Sequence, residues 1–241
     1  MSIVNAQIVS CKCGARVELD LADSIHVDRH PHLRQRLLDG ELHSFTCLAC
    51  LRTIVIDKQL FYYDHARRQF LCAFPMSELG NADACDAITR NAFDQALGSG
   101  APPVLQVKPE QYLLRTCFGL DELRDKIRID DAKLNDLVVE ELKCQVMANT
   151  PALQERGVIA LWLRRVAPDG SLEFLPEATQ RPAPEAGPGA MAVSRAFYDD
   201  VAALGHEAIL AARPGLAWGS HVSMRRLWME SRKQARHGAA R

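Results

Sequence analysis

"IVSCKCGARVELD", residues 8–20, sets two cysteines one residue apart with a glycine directly behind them, between short runs of alternating apolar residues. The alternation is the pattern of a β-hairpin whose turn carries Cys11 and Cys13. Such a pair can be half of a metal site, half of a redox couple, or two small apolar neighbours. Further along, "FTCLACLR" at residues 45–52 supplies Cys47 and Cys50, a Cys-x-x-Cys again flanked by strand-like sequence. Zinc takes four soft ligands in a tetrahedron, with sulfurs about 2.3 Å from the metal. A tight turn between strands can aim two thiolates at one point, and two such turns complete the shell. Gly14 suits the first turn, because backbone just past a second ligand often needs a conformation that side chains resist. Cys11, Cys13, Cys47 and Cys50 are therefore read as a four-thiolate zinc site. Four protein sulfurs leave no open coordination position, so the metal's role is structural. Thiol–disulfide chemistry is the alternative, although no thioredoxin-like strand-then-helix context follows the second pair.

Composition narrows the class. The 241 residues, 48% hydrophobic and 24% charged, suit a soluble globular protein with a real core. Lysine and arginine total 29 against 30 carboxylates, a balance that points to neither a nucleic acid nor a membrane. The opening residues lack a basic segment followed by a long apolar run, and no stretch approaches the ~18 apolar residues of a membrane span. The expectation is a cytoplasmic protein without a membrane partner. In a reducing compartment its eight cysteines are thiols or metal ligands before they are disulfides. Cys72, Cys85, Cys117 and Cys144 each sit singly in apolar segments and read as small core hydrophobes.

The periodicity predicts an α+β chain. Residues 1–75 read as a β-rich, metal-binding head around one helix, "HPHLRQRLLDGEL", with Pro31 in its first turn and Asp39-Gly40 as its stop. Residues 76–148 read as mostly helical. There Asn81 or Asp83 caps a helix with Cys85, Ile88, Ala92 and Ala96 on one stripe. "QYLLRTC" is a short strand candidate and "GLDELRDKIRID" a helix with a suitably acidic first turn. "DAKLNDLVVEELKCQVM" has the clearest helical spacing, with Leu134, Leu137, Val138, Leu142 and Val146 on one face. The C-terminal region, 149–241, is mixed. It opens with a hairpin at 157–176 turning at Asp169-Gly170, continues through a Pro-rich loop at 176–190, and ends in one or two helices.

With these motifs in place, residues 1–148 resemble the bacterial and archaeal CpXC domain, a family named for its two cysteine pairs. "CKCG" at 11–14, "SIHVDRHPHLRQRLLDGELHSFTCLAC" at 24–50 and "QLFYYDHARRQFLCAFP" at 59–75 follow the family's order of pair, strand, helix, pair and strand. "FGLDELRDKIRIDDAKLNDLVVEELK" at 118–143 is similar to helices that follow the domain in many members. The resemblance implies a zinc-ribbon-like head and carries no activity with it. Two departures stand out. The first pair is one residue shorter than the usual Cys-Pro-x-Cys, and the second has Leu48 in place of proline and Leu51 in place of glycine.

Other candidate chemistry reads more plainly. "HVDRHPH" gathers His26, His30 and His32 beside Asp28, in what is read as a solvated loop before a helix. His43 shares a strand face with Cys47 but is not needed as a ligand. "YYDHARRQF" reads as a turn with two exposed arginines. The basic C-terminal stretch, with Arg225, Arg226, Arg232, Lys233, Arg236 and Arg241, reads as an amphipathic end helix. No phosphate-binding glycine loop, nucleophile elbow or His-Glu-x-x-His is present, so no catalytic residue is assigned. The sequence thus points to a zinc-stapled, non-enzymatic binding or interaction module of unknown cellular role, its partner left open with another protein as one candidate. A nucleic-acid binder working through the head or the basic C-terminus is the alternative, and a thiol redox protein the third reading.

Overall fold

The computed structural model describes residues 2–178 and 189–227, and the chain divides into two compact units, 1–124 and 125–241. The Pro-rich loop lies mostly outside the described residues, and so do Arg232, Lys233, Arg236 and Arg241. Helices and strands alternate along both units, as expected of an α+β chain. No helix among the described residues is long and apolar enough to cross a membrane.

In the first unit, β1 (Ile3–Ser10) and β2 (Arg16–His26) form the expected hairpin, with the Cys11–Cys13 turn at its tip. Helix α1 (Pro31–Leu38) follows, with proline in its first turn, and Gly40 at φ +79° ends it. A short excursion then forms a separate two-stranded hairpin of β3 (Ser44–Thr46) and β4 (Thr53–Val55). Strands β5 (Leu60–Asp64) and β6 (Gln69–Phe74) return to the main sheet. Helix α2 (Ala82–Leu97) leads to β7 (Leu113–Phe118), which pairs parallel with β6. The result is a five-stranded sheet of order β1-β2-β5-β6-β7.

Alternation assigns the two faces. The register aligns Ser24 with Phe61 and His26 with Tyr63, then Tyr63 with Phe70 and Phe70 with Leu114, so these side chains share one face. On the opposite face Ile25, Tyr62, Leu71 and Cys117 are fully buried. Arg34 of α1 donates to the Tyr62 hydroxyl there at 3.0 Å.

Helix α2 corrects the expected stripe. It buries Cys85, Asp86, Thr89, Phe93 and Leu97, whereas Ile88 is exposed. The i, i+4 row through Cys85, Thr89, Phe93 and Leu97 carries the two large apolar side chains of the helix's second half, and their burial sets its rotation. Phe93 stands edge-on to Phe70 at 5.4 Å, and the Thr116 hydroxyl donates to that of Thr89 at 2.9 Å. Asn81 occupies the cap position, but its side-chain amide donates to Glu78 instead of capping the helix.

The second unit is built on α4 (Asp136–Asn149), capped by the Asn135 side chain, which accepts from Val138 N–H. Leu134 precedes the helix and is still buried. Around α4 lie the C-terminal half of α3 (Gly119–Asp131), α5 (Pro151–Glu155) and a sheet of order β10-β9-β8. Its strands are β8 (Val158–Val166), β9 (Leu172–Ala178) and β10 (Met191–Val193). The β8–β9 hairpin turns where expected, with Asp169 accepting from Ser171 N–H and Gly170 at φ +84°. Helices α6 (Arg195–Ala203) and α7 (His206–Ala212) close the core.

Helix α4 buries charge as well as leucine. Lys143 Nζ donates to Asp125 Oδ2 at 2.5 Å and Glu140 Oε1 at 2.9 Å, and Lys126 Nζ to Glu140 Oε1 at 2.7 Å. All four side chains are nearly or wholly removed from solvent. The second carboxylate oxygens are engaged too: Leu163 N–H donates to Asp125 Oδ1 and Met224 N–H to Glu140 Oε2. Burial alone opposes ionisation of Glu140, but the two ammonium groups outweigh it and lower its pKa. Removing one member of such a network strands its partner's charge. Lys143→Met is expected to destabilise the protein by about 3–5 kcal/mol, read as a lower urea midpoint. A loss below about 1 kcal/mol would place the pair in the range of solvated surface bridges.

Candidate metal centre

The two cysteine turns use the same backbone device. At the tip of β1–β2, Cys11 N–H donates to the Ala15 carbonyl at 2.8 Å and Gly14 N–H to the Cys11 carbonyl at 2.9 Å. At the tip of β3–β4, Cys47 N–H donates to the Arg52 carbonyl at 2.9 Å and Leu51 N–H to the Cys47 carbonyl at 2.7 Å. In both, the residue after the second cysteine has a left-handed backbone: Gly14 at φ +90° and Leu51 at φ +58°. Glycine adopts this without cost, while a leucine pays roughly 1–2 kcal/mol.

The tips face each other. Cys11 Sγ lies 3.6 Å from Cys50 Sγ, and Cys13 Sγ lies 3.7 Å from Cys47 Sγ. All four sulfurs fall within 4.8 Å of one another. A tetrahedron with arms of about 2.3 Å has edges of about 3.8 Å, so these sulfurs fit the shell of one ion. The four cysteines are positioned to bind a metal ion, and each sulfur pair at close range comes from different hairpins. Cys11 and Cys47 are buried, Cys50 is half-buried and Cys13 exposed.

The electrostatics differ between the two turns. Backbone N–H groups of Ala49 and Cys50 point at the Cys47 sulfur and hold its thiol down at about 7. Cys13 N–H acts likewise on Cys11, but burial and the neighbouring thiols outweigh it and raise Cys11 to about 11. Four thiols this close cannot all ionise without a cation among them. The other cysteines are apart from this group: Cys72, Cys85 and Cys117 are buried and Cys144 half-buried. Burial pushes Cys72 and Cys144 up to about 12, the behaviour of inert core thiols.

His43 is an anchor rather than a ligand. It is buried at the base of β3–β4, where its Nε2 accepts from Ala22 N–H of β2 at 3.0 Å and its carbonyl from Ile56 N–H at 2.9 Å. An ion pair between Lys58 and Asp23 ties the other end of the excursion to the same strand. Sequence reasoning placed His43 on the cysteine face but missed this role; its signal is a buried position just outside a hairpin too short to stand alone. His26, His30 and His32 do not form a ligand set with a third group among the described residues. Asp64, in "YYDHARRQF", is buried and accepts from Arg67 Nη1 at 2.9 Å, a turn-closing pair.

Two outcomes follow for this region. Burial, aided by the Lys58 ammonium, pushes His43 from 6.5 down to about 4. The unfolded chain therefore takes up a proton that the folded chain refuses, and stability falls as pH drops from about 6.5 towards 4. Denaturant midpoints across that window should show the fall, and a His43→Gln variant should flatten it. At the second tip, Leu51→Gly is expected to relieve the left-handed strain and raise the stability of the metal-loaded protein by about 1 kcal/mol, read from the unfolding midpoint.

Comparison with known proteins agrees with this arrangement. A family model described as CpXC protein matches residues 9–143, a span that begins just before the first cysteine pair and ends in α4. An uncharacterised protein of Treponema pallidum (strain Nichols) is 26% identical over 161 residues, covering 67% of this chain and 72% of that protein. No solved structure matches the chain. Both cysteine pairs lie within the matched residues, and the chain belongs to the CpXC family.

Proposed function

We propose that the protein is a zinc-binding, non-enzymatic interaction module of a reducing, cytoplasmic compartment, in which the metal staples a zinc-ribbon-like head. The observation that carries this reading is the convergence of Cys11, Cys13, Cys47 and Cys50 within 4.8 Å from two separate hairpin tips. Thiolates in a tetrahedral set favour zinc or iron–sulfur chemistry, and sulfurs this close suit the shell of a single ion, which we read as zinc. The chain's own residues would supply every ligand, so the ion supplies cohesion, on the order of 10 kcal/mol of coordination free energy in small zinc-dependent folds.

Cohesion is what this segment needs. A hairpin of three residue pairs such as β3–β4 is marginal by itself. The metal would fix its free end, while His43 and Lys58 fix its base. The same closure leaves Leu48 almost fully and Leu51 largely exposed at the tip, because the sulfurs occupy the inside of the turn. Exposed leucines on a rigid tip suit contact with another protein.

The nucleic-acid alternative draws less support from the basic C-terminal stretch. Arg225 pairs with Glu177 and stacks 4.6 Å from the Trp162 ring, and Arg226 lies 5.1 Å from the Trp218 ring. These two cations are engaged within the fold.

Elemental analysis of the purified full-length chain tests the proposal. The expected result is about one zinc per chain, with Cys47→Ser losing most of the metal and unfolding at lower temperature. Metal-free protein with a reversible disulfide among the four cysteines would replace the zinc reading with the redox one.

A further inference from the structure

The first unit holds a second feature, separate from the cysteines: a cavity of about 540 Å³ between the main sheet and α2. Its origin is a mismatch of widths. Five strands spaced about 4.8 Å apart span roughly 19 Å, whereas one helix is about 10–12 Å across. Helix α2 packs over β6 and β7 through Phe93 and Leu97, so the same sheet face is left open above β2 and β5.

What lines that opening is sorted by chemistry. The floor is aromatic, Phe61 and Phe70, and the helix wall presents Ala92 and Ala96, with Leu105 of the following connector alongside. Small side chains on the wall leave the space that larger ones would fill. Ser24, His26, Arg29 and Tyr63 also line the cavity. His26 stands edge-on to Tyr63 at 4.8 Å, and burial is the main cause holding its imidazole below the ordinary histidine value. Tyr63 is in turn fixed by His65, whose Nδ1 lies 2.9 Å from the Tyr63 hydroxyl and 2.7 Å from that of Tyr112. Among the described residues that line the cavity, Arg29 is the one constant charge and none is a carboxylate. Asp28, next to Arg29 in the chain, accepts from His65 N–H at 3.1 Å and lies 3.7 Å from His26 Nδ1.

An apolar chamber of this size with a few polar groups is the general form of a small-molecule site, for which about 300–1,000 Å³ is usual. A guanidinium at the rim of an apolar pocket selects an anion, and a planar fork suits a carboxylate. We infer that this cavity binds a small amphipathic monocarboxylate, its apolar body against Phe61, Phe70 and the α2 alanines and its head group on Arg29.

Calorimetry on the full-length, metal-loaded protein tests this with octanoate, using 1-octanol as the neutral probe of the same chain. The expected result is one saturable octanoate site, with octanol bound about tenfold more weakly. Arg29→Gln should weaken octanoate by a similar factor and leave octanol unchanged. Ala92→Phe, which fills the chamber, should abolish binding of both while circular dichroism and metal content stay as in the parent. Four results would overturn the inference: no saturable octanoate binding, equal affinity for the two probes in the parent, octanoate affinity unchanged by Arg29→Gln, or octanoate binding that survives Ala92→Phe. Arg29→Gln lies at the exposed rim and keeps the test decisive if Ala92→Phe does not fold.

Discussion

Two hairpin tips, thirty-odd residues apart in sequence, must bring four sulfur atoms into one small volume, and the head is arranged around that meeting. The geometry makes demands well beyond the cysteines. Each turn has backbone N–H groups that point at sulfur and a left-handed residue immediately after the second cysteine. The short β3–β4 hairpin needs its base held at the right distance, which His43 and the Lys58–Asp23 pair accomplish on β2. The tip and the base therefore depend on each other: the anchor aims the second pair, and the cation would lock what the anchor aims.

The main sheet obeys a different constraint, the matching of apolar faces. One face is covered where α2 lies and open where it does not, because a single helix is narrower than five strands. The apolar surface left over is concentrated beside polar groups from the β2–α1 loop and from β5. A packing limit thus produces a chamber with a floor, a wall and a charged rim, without any residue departing from ordinary strand or helix behaviour.

The second unit is held by a third kind of interaction. Its core helix carries Glu140 and Lys143 inward along with Leu142 and Val146. Such charges cost several kcal/mol to bury and are tolerated only when every donor and acceptor is met. Asp125, Lys126, Leu163 and Met224 complete the network from three other segments. The network demands a specific arrangement of α3, α4, β8 and the chain near residue 224, where apolar packing alone would accept several.

Local patterns carried much of this architecture. The alternation on each side of Cys11 and Cys13, Pro31 and Gly40 bounding α1, and Asp169-Gly170 turning the later hairpin are all decided within a few residues, because turn and cap conformations are local energies. The spacing of the cysteines likewise singled out the four whose sulfurs the fold brings together. Periodicity failed where several faces compete. In α2 the apolar set Cys85, Ile88, Ala92, Ala96 and the set Cys85, Thr89, Phe93, Leu97 differ by a small rotation, and only the sheet beneath chose between them. The parallel pairing of β7 with β6, the inward charges of α4, His43 as an anchor and the cavity over β5 were decided by tertiary structure alone. Each depends on a partner distant in sequence, and a single chain read residue by residue holds no record of which distant groups it will meet.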